Sequence, residues 1–440
     1  MITSVIGKKF LKLYNERYKT DYSAEQFFLD VFYPLFFGKN KYMMTAGNSP
    51  LENPKISWDD IILKKEDKKT KIIKEYDSLE KKEDRLNKLL SKIDLGIADA
   101  SIAVGYPVTD ILGTTSGQVS SMSYNIPKDD IYLSWIGAGF GIGIQGGVNI
   151  LFEEPVILWD IFEGWKLYRE LLEKTELLKG NQINTWNGQW LSHKYDRDFR
   201  PEAPMDNFSP MNVLGEIFNI ETKFWTHILY GISRLKLGKR IVGYIYNIGQ
   251  TNTTIGFIPF DLEEIRRPYN LYQKLFGSGD LEQIKALYGN ETGFINLCKP
   301  GVIGLKALRP KGLKEYFEKG TMPKYSDDKN KTIINNTYLI WLMAMLNNQE
   351  LWDKSQQYAK ALFEFSMQSK NGKKDKSNTI NELLKAKKQE AFIETLIEVI
   401  PEFENIETIK ELANLVHTMP KDNVPYFLTL IRFHYAIYNK

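Results

Sequence analysis

The chain has 440 residues, enough for two or three ordinary domains with a sizeable buried interior. Hydrophobic residues make up 43% and charged residues 26% of the chain, and these proportions exclude wholesale disorder. The net charge is only +3, which excludes a general polyanion-binding surface and requires any basic region to be local.

The single cysteine, Cys298, excludes an intramolecular disulfide and a multi-cysteine zinc site within this chain, and it fits a reducing compartment. The N-terminal residues lack the apolar region and cleavage site of a signal peptide. No stretch reaches the roughly 18 uninterrupted apolar residues of a transmembrane helix. We therefore expect a soluble cytoplasmic protein with no membrane partner.

The first hundred residues are predicted to form a mostly helical region, 1–100. Ser23, with Gln26 three residues later, is typical of a capping box, and apolar residues follow at helical spacing until Pro34. From Leu63 to Ile93 apolar residues recur three and four apart between many charges, which predicts a charged helix. This helix would be a solvated surface element or a docking element.

Glycines alternate with apolar residues in the segment Ile131–Leu151, at Gly137, Gly139, Gly141 and Gly143. A period of two predicts a strand with one apolar face and one face without side chains. Such a bare face admits either a closely packed helix or strand, or a ligand or polynucleotide backbone, or it marks a bulge or barrel corner. The sequence does not decide among these.

The central part, 101–325, is predicted to be an α+β domain that contains this glycine-rich strand. A helix is expected from Asp160, then a polar and aromatic loop, a second helix and a further pair of strands. From about Thr332 the pattern is almost entirely helical, which predicts a C-terminal helical bundle over 326–440. The predicted fold class is α+β, a mixed N-terminal and central β-containing body followed by an α-helical bundle.

The polar and aromatic segment 179–200 is the strongest candidate binding site. It combines cations that suit phosphates, amides that suit hydrogen bonding and indoles that suit base stacking. The alternative is a large loop whose tryptophans fold back onto their own domain. The predicted nucleic-acid-binding residues are Lys179, Asn181, Gln182, Trp186, Asn187, Gln189, Trp190, Lys194, Arg197 and Arg200.

Three further basic clusters could extend one cationic track, although the sequence does not show whether they meet in space. They are Arg234, Lys236, Lys239 and Arg240; Arg266 and Arg267; and Lys370, Lys373, Lys374 and Lys376.

Catalytic signatures are weaker than binding signatures. The sequence has no Walker A motif, no GxSxG and no histidine pair with metal-ligand spacing, so we predict no catalytic residues, no metal and no cofactor. One alternative is a metal-dependent nuclease of a defence system that uses Glu153, Glu154 or Asp160, since such sites can be assembled from distant segments. A second alternative is a protein-binding scaffold that docks through the charged helix Leu63–Ile93.

The run LLKGNQINTWNGQWLSH, the glycine-alternating strand before it and the C-terminal helical bundle together resemble a large subunit of type I CRISPR surveillance (Cascade) complexes. Members of one branch of that family carry paired CxxC motifs for zinc, which this sequence lacks. The resemblance implies a non-catalytic subunit of an antiviral defence complex that contacts the short motif flanking a DNA target. It also implies that the subunit helps to hold guide and target strands and recruits a separate nuclease-helicase. Under this resemblance the contact role falls on Lys179, Asn181, Gln182, Trp186, Asn187, Gln189 and Trp190. The expected partners are therefore DNA or RNA and the other subunits of a complex.

Overall fold

A computed structural model describes residues 1–47, 49–52, 79–95, 102–105, 126–215, 217–247, 253–368 and 376–439. The chain divides into two compact units, Met1–Phe260 and Asp261–Lys440. Helices dominate both units and a small antiparallel sheet lies in the first, so the predicted α+β class is confirmed. The finer division into 1–100, 101–325 and 326–440 stays a prediction.

The first unit consists of eight named α-helices and six strands among its described residues. In chain order they are α1 (Ile2–Tyr18), α2 (Ala24–Phe27), α3 (Tyr33–Phe36), α4 (Leu79–Asp94), α5 (Lys128–Ala138), β1 (Ile142–Ile144), β2 (Val148–Phe152), α6 (Pro155–Lys174), α7 (Ile183–Lys194), β3 (Met211–Leu214), β4 (Ile217–Ile220), α8 (Trp225–Ser233), β5 (Arg240–Asn247) and β6 (Thr253–Asp261). A π-helical turn, Phe28–Phe32, joins α2 to α3. The last residue of β6, Asp261, belongs to the second unit.

Four strands form one sheet in the order β1-β2-β5-β6, and β3 and β4 form a separate hairpin. β2 is antiparallel to both of its neighbours, with Asn149 opposite Gly143 of β1 on one side and opposite Tyr246 of β5 on the other. These three residues therefore share one face of the sheet, because side chains directly opposite each other point the same way. The other face carries buried apolar residues such as Ile150 and Ile245.

The predicted glycine strand is wrong over its first part. Residues Lys128–Ala138 form helix α5, and only Ile142–Ile144 and Val148–Phe152 are strands. Every residue of α5 from Ile131 onward is buried. A helix that is buried all round has no polar face to reveal a 3.6-residue period, so the alternating glycines dominated the pattern.

The glycines of this segment let backbones approach each other rather than a ligand. A Cβ on Gly137 of α5 would lie 2.7 Å from the carbonyl carbon of Thr3 and 2.9 Å from the backbone nitrogen of Gly7, both in α1. A Cβ on Gly143 of β1 would lie 3.0 Å from backbone atoms of Asn184 and Thr185 in α7. Of the alternatives open from the sequence, close packing of neighbouring helices is the one these contacts support.

The buried Arg169 and the half-buried Lys41 fasten the N-terminal helices to α6. Arg169 donates hydrogen bonds at 2.6–2.8 Å to the carbonyl oxygens of Leu35, in the last turn of α3, and of Lys41, in the segment after α3. Lys41 in turn donates to the carbonyl oxygens of Leu172 and Thr175, where α6 ends. Leu35, Leu172 and Thr175 lie at helix ends, so these bonds satisfy carbonyls that a helix end leaves unpaired and place each cation at the negative end of a helix. Burial lowers the pKa of Lys41 to about 8.

The second unit is helical. Its helices are α9 (Leu262–Phe276), α10 (Leu281–Leu287), α11 (Phe294–Cys298), α12 (Leu313–Lys319), α13 (Lys329–Leu346), α14 (Glu350–Met367), α15 (Lys376–Lys385), α16 (Gln389–Val399), α17 (Ile406–Thr418) and α18 (Val424–Tyr438). The last six confirm the predicted helical C-terminal region. In the described part of the chain, no helix combines the length and apolar character that a bilayer crossing needs.

The predicted charged helix Leu63–Ile93 falls partly outside the described residues. Its second half is the helix α4, and residues 63–78 lie outside the described ranges. Of the residues on the predicted apolar seam, Ile93 is buried and Leu86 and Leu90 are half-buried, whereas the buried Leu89 was not predicted to lie on that seam.

Candidate nucleic-acid interface

The segment 179–200, predicted as a loop, contains helix α7 over Ile183–Lys194. α7 packs against α6, α8 and β1 within the first unit. Gly188 faces β1 at a point where a Cβ would run into the carbonyl oxygen of Gly143. The helix therefore covers the end of the sheet that was expected to offer a bare face.

The two indoles of α7 are core residues. Trp186 is 0% and Trp190 is 1% exposed, and their rings stack in parallel, with centroids 6.4 Å apart. Each indole N–H donates to a backbone carbonyl of α6: Trp186 Nε1 to Gly164 at 2.9 Å and Trp190 Nε1 to Asp160 at 2.7 Å. The expectation that these rings offer stacking surfaces is wrong, because packing and hydrogen bonding already occupy both faces and edges.

The amides of the segment bind backbone groups of their own unit. Asn187 is fully buried and donates to the carbonyl oxygens of Gly139 and Gly141, at 2.8 and 2.9 Å. Gln189 donates to the carbonyl of Glu221 at 2.7 Å, and Gln182 accepts from the backbone of Ile220 at 3.0 Å. The half-buried Asn181 has a left-handed backbone, φ 61°.

Lys194 is part of a charge network that is buried at Asp160 and exposed at Glu163. Its ammonium lies 3.2 Å from Asp160 and 2.6 Å from Glu163, and the hydroxyl of Tyr195 donates to Asp160 at 2.7 Å. Burial raises the pKa of Asp160, although its contacts with Tyr195 and Lys194 each act to lower that pKa. These carboxylates already neutralise Lys194, which leaves it a poor phosphate ligand.

The other carboxylates of the nuclease alternative do not lie around Asp160 in one metal-binding group. Glu153 pairs with Lys9 at 3.4 Å, and Glu154 stands immediately before α6. Within the described residues, no three His, Cys, Asp or Glu side chains are grouped so that they could hold a metal ion.

Two of the predicted basic clusters lie side by side. Arg234 donates to the carbonyl oxygen of Tyr195 at 3.0 Å, which brings the end of α8 against the end of α7. The exposed Arg197 and Arg200 lie two and five residues after Tyr195, and Arg200 is paired with Asp206. Lys179 is half-buried near the other end of the segment. The pair Arg266 and Arg267 lies in the second unit, and of the fourth cluster only Lys376 is described.

A second candidate surface follows the α8 cluster along the chain. Residues 222–260 contain five cations and no carboxylate: Lys223, Arg234, Lys236, Lys239 and Arg240. The last four of these cations are exposed. A stretch with one sign of charge keeps a positive local potential that the near-neutral chain as a whole does not have.

The exposed part of this stretch includes aromatic rings on a sheet face. In β5, Val242 is 50% exposed and Tyr244 half-buried, and they alternate with buried Ile241 and Ile245. Phe257 of β6 is 64% exposed and lies edge-on to Tyr244, with ring centroids 5.2 Å apart. We call the set Arg240, Val242, Tyr244 and Phe257 the hairpin face.

The hairpin face continues into a pair of amides beneath α7. Tyr246 lies next to Tyr244, with centroids 6.0 Å apart, and its hydroxyl lies 2.5 Å from the position a Cβ would take on Gly141. The amide nitrogen of Asn184 is 3.1 Å from the same position and donates to Oδ1 of Asn149 at 2.9 Å. Aromatic rings and amides thus form one row across the sheet.

Sequence reasoning missed the hairpin face. A usable signal existed, because Arg240, Val242, Tyr244 and Tyr246 alternate in a segment without acidic residues. Its exposure depended on which strand lies at the sheet edge, and local patterns do not determine that.

Comparison with known proteins adds no relative to this picture. No protein-family model matches the chain, and neither the curated proteins nor the solved structures contain a match.

Proposed function

We propose that this chain is a non-catalytic nucleic-acid-binding protein that holds a single strand on its hairpin face. The observation that carries the proposal is the contact of the exposed Phe257 ring with the half-buried Tyr244 ring, within a stretch of five cations and no carboxylate. Bases stacked on protein aromatics contribute roughly 1–3 kcal/mol each, and nearby cations attract the phosphates.

The surface favours a single strand over a duplex. Ring faces on a sheet contact base faces, which are available only where bases are unstacked from their neighbours. Val242 adds apolar contact area between Arg240 and Tyr244 along the strand. Since the net charge of the chain is only +3, we expect affinity to depend on this local surface rather than on the field of the whole protein.

Membership of a prokaryotic antiviral assembly is a further part of the proposal and rests on the resemblance to Cascade large subunits alone. In that setting the chain would act in the cytoplasm, with DNA or RNA and the other subunits of the complex as partners. The residues Arg197 and Arg200 would then be peripheral phosphate contacts beside the hairpin face, and Lys179 would be a separate phosphate contact near the other end of the segment 179–200. The support for including Arg197 and Arg200 is the contact between Arg234 and Tyr195.

The test is the affinity of the purified chain for a labelled single strand of about 20 nucleotides, measured by fluorescence anisotropy at roughly 50 mM salt. We expect Tyr244→Ala combined with Phe257→Ala to weaken binding at least about tenfold, because a single stacked base supplies that much. The matched control is Val213→Ala, which removes a 69% exposed apolar side chain from the separate β3–β4 hairpin.

The control should stay within about twofold of the unmodified chain, as surface truncations away from a site do. A double variant that keeps its thermal unfolding temperature and binds as well as the unmodified chain would rule out this surface. Absence of strand binding by the unmodified chain would rule out the function and favour the scaffold alternative. Magnesium-dependent cleavage of the strand would instead favour the nuclease alternative.

A further inference from the structure

We infer that the hairpin face prefers RNA to DNA, because two hydroxyl groups at its rim, those of Tyr244 and Thr254, bond the ribose 2′-hydroxyl of a stacked nucleotide. This inference rests on the proposed function and names the kind of strand that the same surface holds. Rings and cations alone do not distinguish RNA from DNA, since bases and phosphates are common to both. The distinction requires a contact with the 2′-hydroxyl.

The first step is that the two hydroxyl groups lie together on the open side of the sheet. The hydroxyl oxygens of Tyr244 and Thr254 are 3.3 Å apart and hydrogen-bonded at an exposed position. Thr254 is exposed, and the neighbouring Phe257 is 64% exposed. A nucleotide stacked on the rings can therefore reach both hydroxyls from solvent.

The second step is a backbone irregularity in β6 that aims Thr254 and Phe257 at the same tyrosine. Side chains of a regular strand alternate between two faces, so residues three apart lie on opposite faces. Thr254 and Phe257 nevertheless both contact Tyr244. Gly256 lies between them with φ 104°, a backbone conformation that favours glycine and that β-bulges use to re-aim a side chain. The strand therefore gives up its alternation at the point where a hydroxyl joins the rings.

The third step is the hydrogen-bonding capacity of the hydroxyl pair. Each hydroxyl group has one hydrogen to donate and oxygen lone pairs to accept with. The bond between Tyr244 and Thr254 uses one of the two hydrogens, and among the described residues no other hydrogen bond reaches either group. The 2′-hydroxyl of ribose both donates and accepts. It can therefore accept the second hydrogen of the pair and donate its own to a lone pair.

The fourth step is the distance from the pair to a stacked nucleotide. The centroids of the Phe257 and Tyr244 rings are 5.2 Å apart, and Thr254 Oγ1 lies 3.3 Å from the hydroxyl at the edge of Tyr244. The sugar is attached to the edge of the base, so it extends beyond the ring on which that base stacks. In a nucleotide oriented towards Tyr244, the 2′-hydroxyl of RNA meets the pair, whereas the same carbon of DNA carries only hydrogen.

The test uses oligomers of uridine and of deoxyuridine, each of about 12 nucleotides, as competitors of the labelled strand at roughly 50 mM salt. The two oligomers differ only in the 2′-hydroxyl. We expect the RNA to compete at least about threefold better, within the roughly two- to tenfold that one neutral hydrogen bond supplies. Tyr244→Phe keeps the ring and removes the hydroxyl, so it should bring that ratio to about one and leave the affinity for the DNA within about twofold.

A second variant, Thr254→Val, replaces the other hydroxyl by a methyl group and should also abolish the preference for RNA. Tyr438→Phe removes the hydroxyl of an exposed tyrosine in the second unit, and as the matched control it should keep the ratio.

Equal competition by the two oligomers for the unmodified chain, or tighter competition by the DNA, would overturn this inference and leave the proposed function standing. So would a preference for RNA that survives in both Tyr244→Phe and Thr254→Val. Absence of binding to both oligomers would overturn both proposals.

Discussion

Substitution of Gly137 by alanine tests the helix contact that replaced the predicted strand. In an isolated helix, alanine in place of glycine stabilises by up to about 1 kcal/mol. Here the added Cβ would lie 2.7 Å from the carbonyl carbon of Thr3, whereas non-bonded carbons prefer about 3.5–4.0 Å. The helices α1 and α5 would therefore have to separate by roughly 1 Å along their crossing.

The expected net effect is a loss of about 2 kcal/mol in the free energy of unfolding. Overpacking of a close-packed interior costs about 1–3 kcal/mol. A separation of roughly 1 Å also removes a quarter to a half of the dispersion energy of each neighbouring contact between the two helices. Those contacts include Ile6 and Phe10 of α1, which are at most 1% exposed. The measurement is urea-induced unfolding followed by circular dichroism.

The control for Gly137→Ala is Gly47→Ala, where nothing lies within 4 Å of the added Cβ, and its stability should change by less than about 0.5 kcal/mol. Gly7→Ala should mimic Gly137→Ala, because its Cβ would lie 2.8 Å from the carbonyl carbon of Leu133. The double variant should lose less free energy of unfolding than the two single variants together, because one separation of α1 from α5 relieves both clashes. Equal or greater stability of Gly137→Ala would refute the close helix contact.

Two further predictions concern buried charges. Lys194→Met should lower the free energy of unfolding of the first unit by about 3 kcal/mol in urea, because it leaves the buried Asp160 without its cation. Its affinity for a single strand should stay unchanged. Loss of affinity without loss of stability would show that α7 belongs to the binding surface after all. Burial lowers the pKa of His434 to about 4. Below about pH 6.5 the histidine therefore binds a proton in the unfolded chain but not in the folded chain. The free energy of unfolding should then fall as the pH drops from about 6.5 towards 4, by at most about 1.4 kcal/mol per pH unit. In urea unfolding across that pH range, the free energy of unfolding should fall less steeply for His434→Phe than for the unmodified chain. The control, substitution of the exposed His417 by glutamine, should keep the original slope. Identical slopes in all three proteins would contradict the attribution of the pH dependence to His434.

Local signals in the sequence predicted local structure well. The capping box of Ser23 and Gln26 is formed in the structure, with both reciprocal hydrogen bonds present. The C-terminal helices were predictable because long apolar and polar periods with clear breakers, such as Pro420, require no knowledge of distant partners. The same reasoning failed at α5, whose surroundings are supplied by α1, more than a hundred residues earlier in the chain.

The position of the tryptophans shows how a correct pattern can support the wrong interpretation. Trp186 and Trp190 are four residues apart, the spacing that places two side chains on one helix face. Their surroundings of Asn, Gln and Lys made the segment look like a polar loop. In the structure the amides bind backbone groups and Lys194 binds carboxylates, so the polar residues complete the interior around the indoles.

The candidate surface depends on strand order and register, which arise only from long-range pairing. Asn149 and Tyr246 are almost a hundred residues apart, and they become neighbours because β2 pairs on one side with β1, the strand before it in sequence, and on the other side with the distant β5. A shift of one residue in that register would turn Tyr244 and Tyr246 into the core and expose Ile245. The buried apolar residues of β5 therefore fix the register, and in doing so they place the aromatic rings and Arg240 on the outer face. The same alternation that stabilises the sheet thus creates the surface proposed to bind a strand.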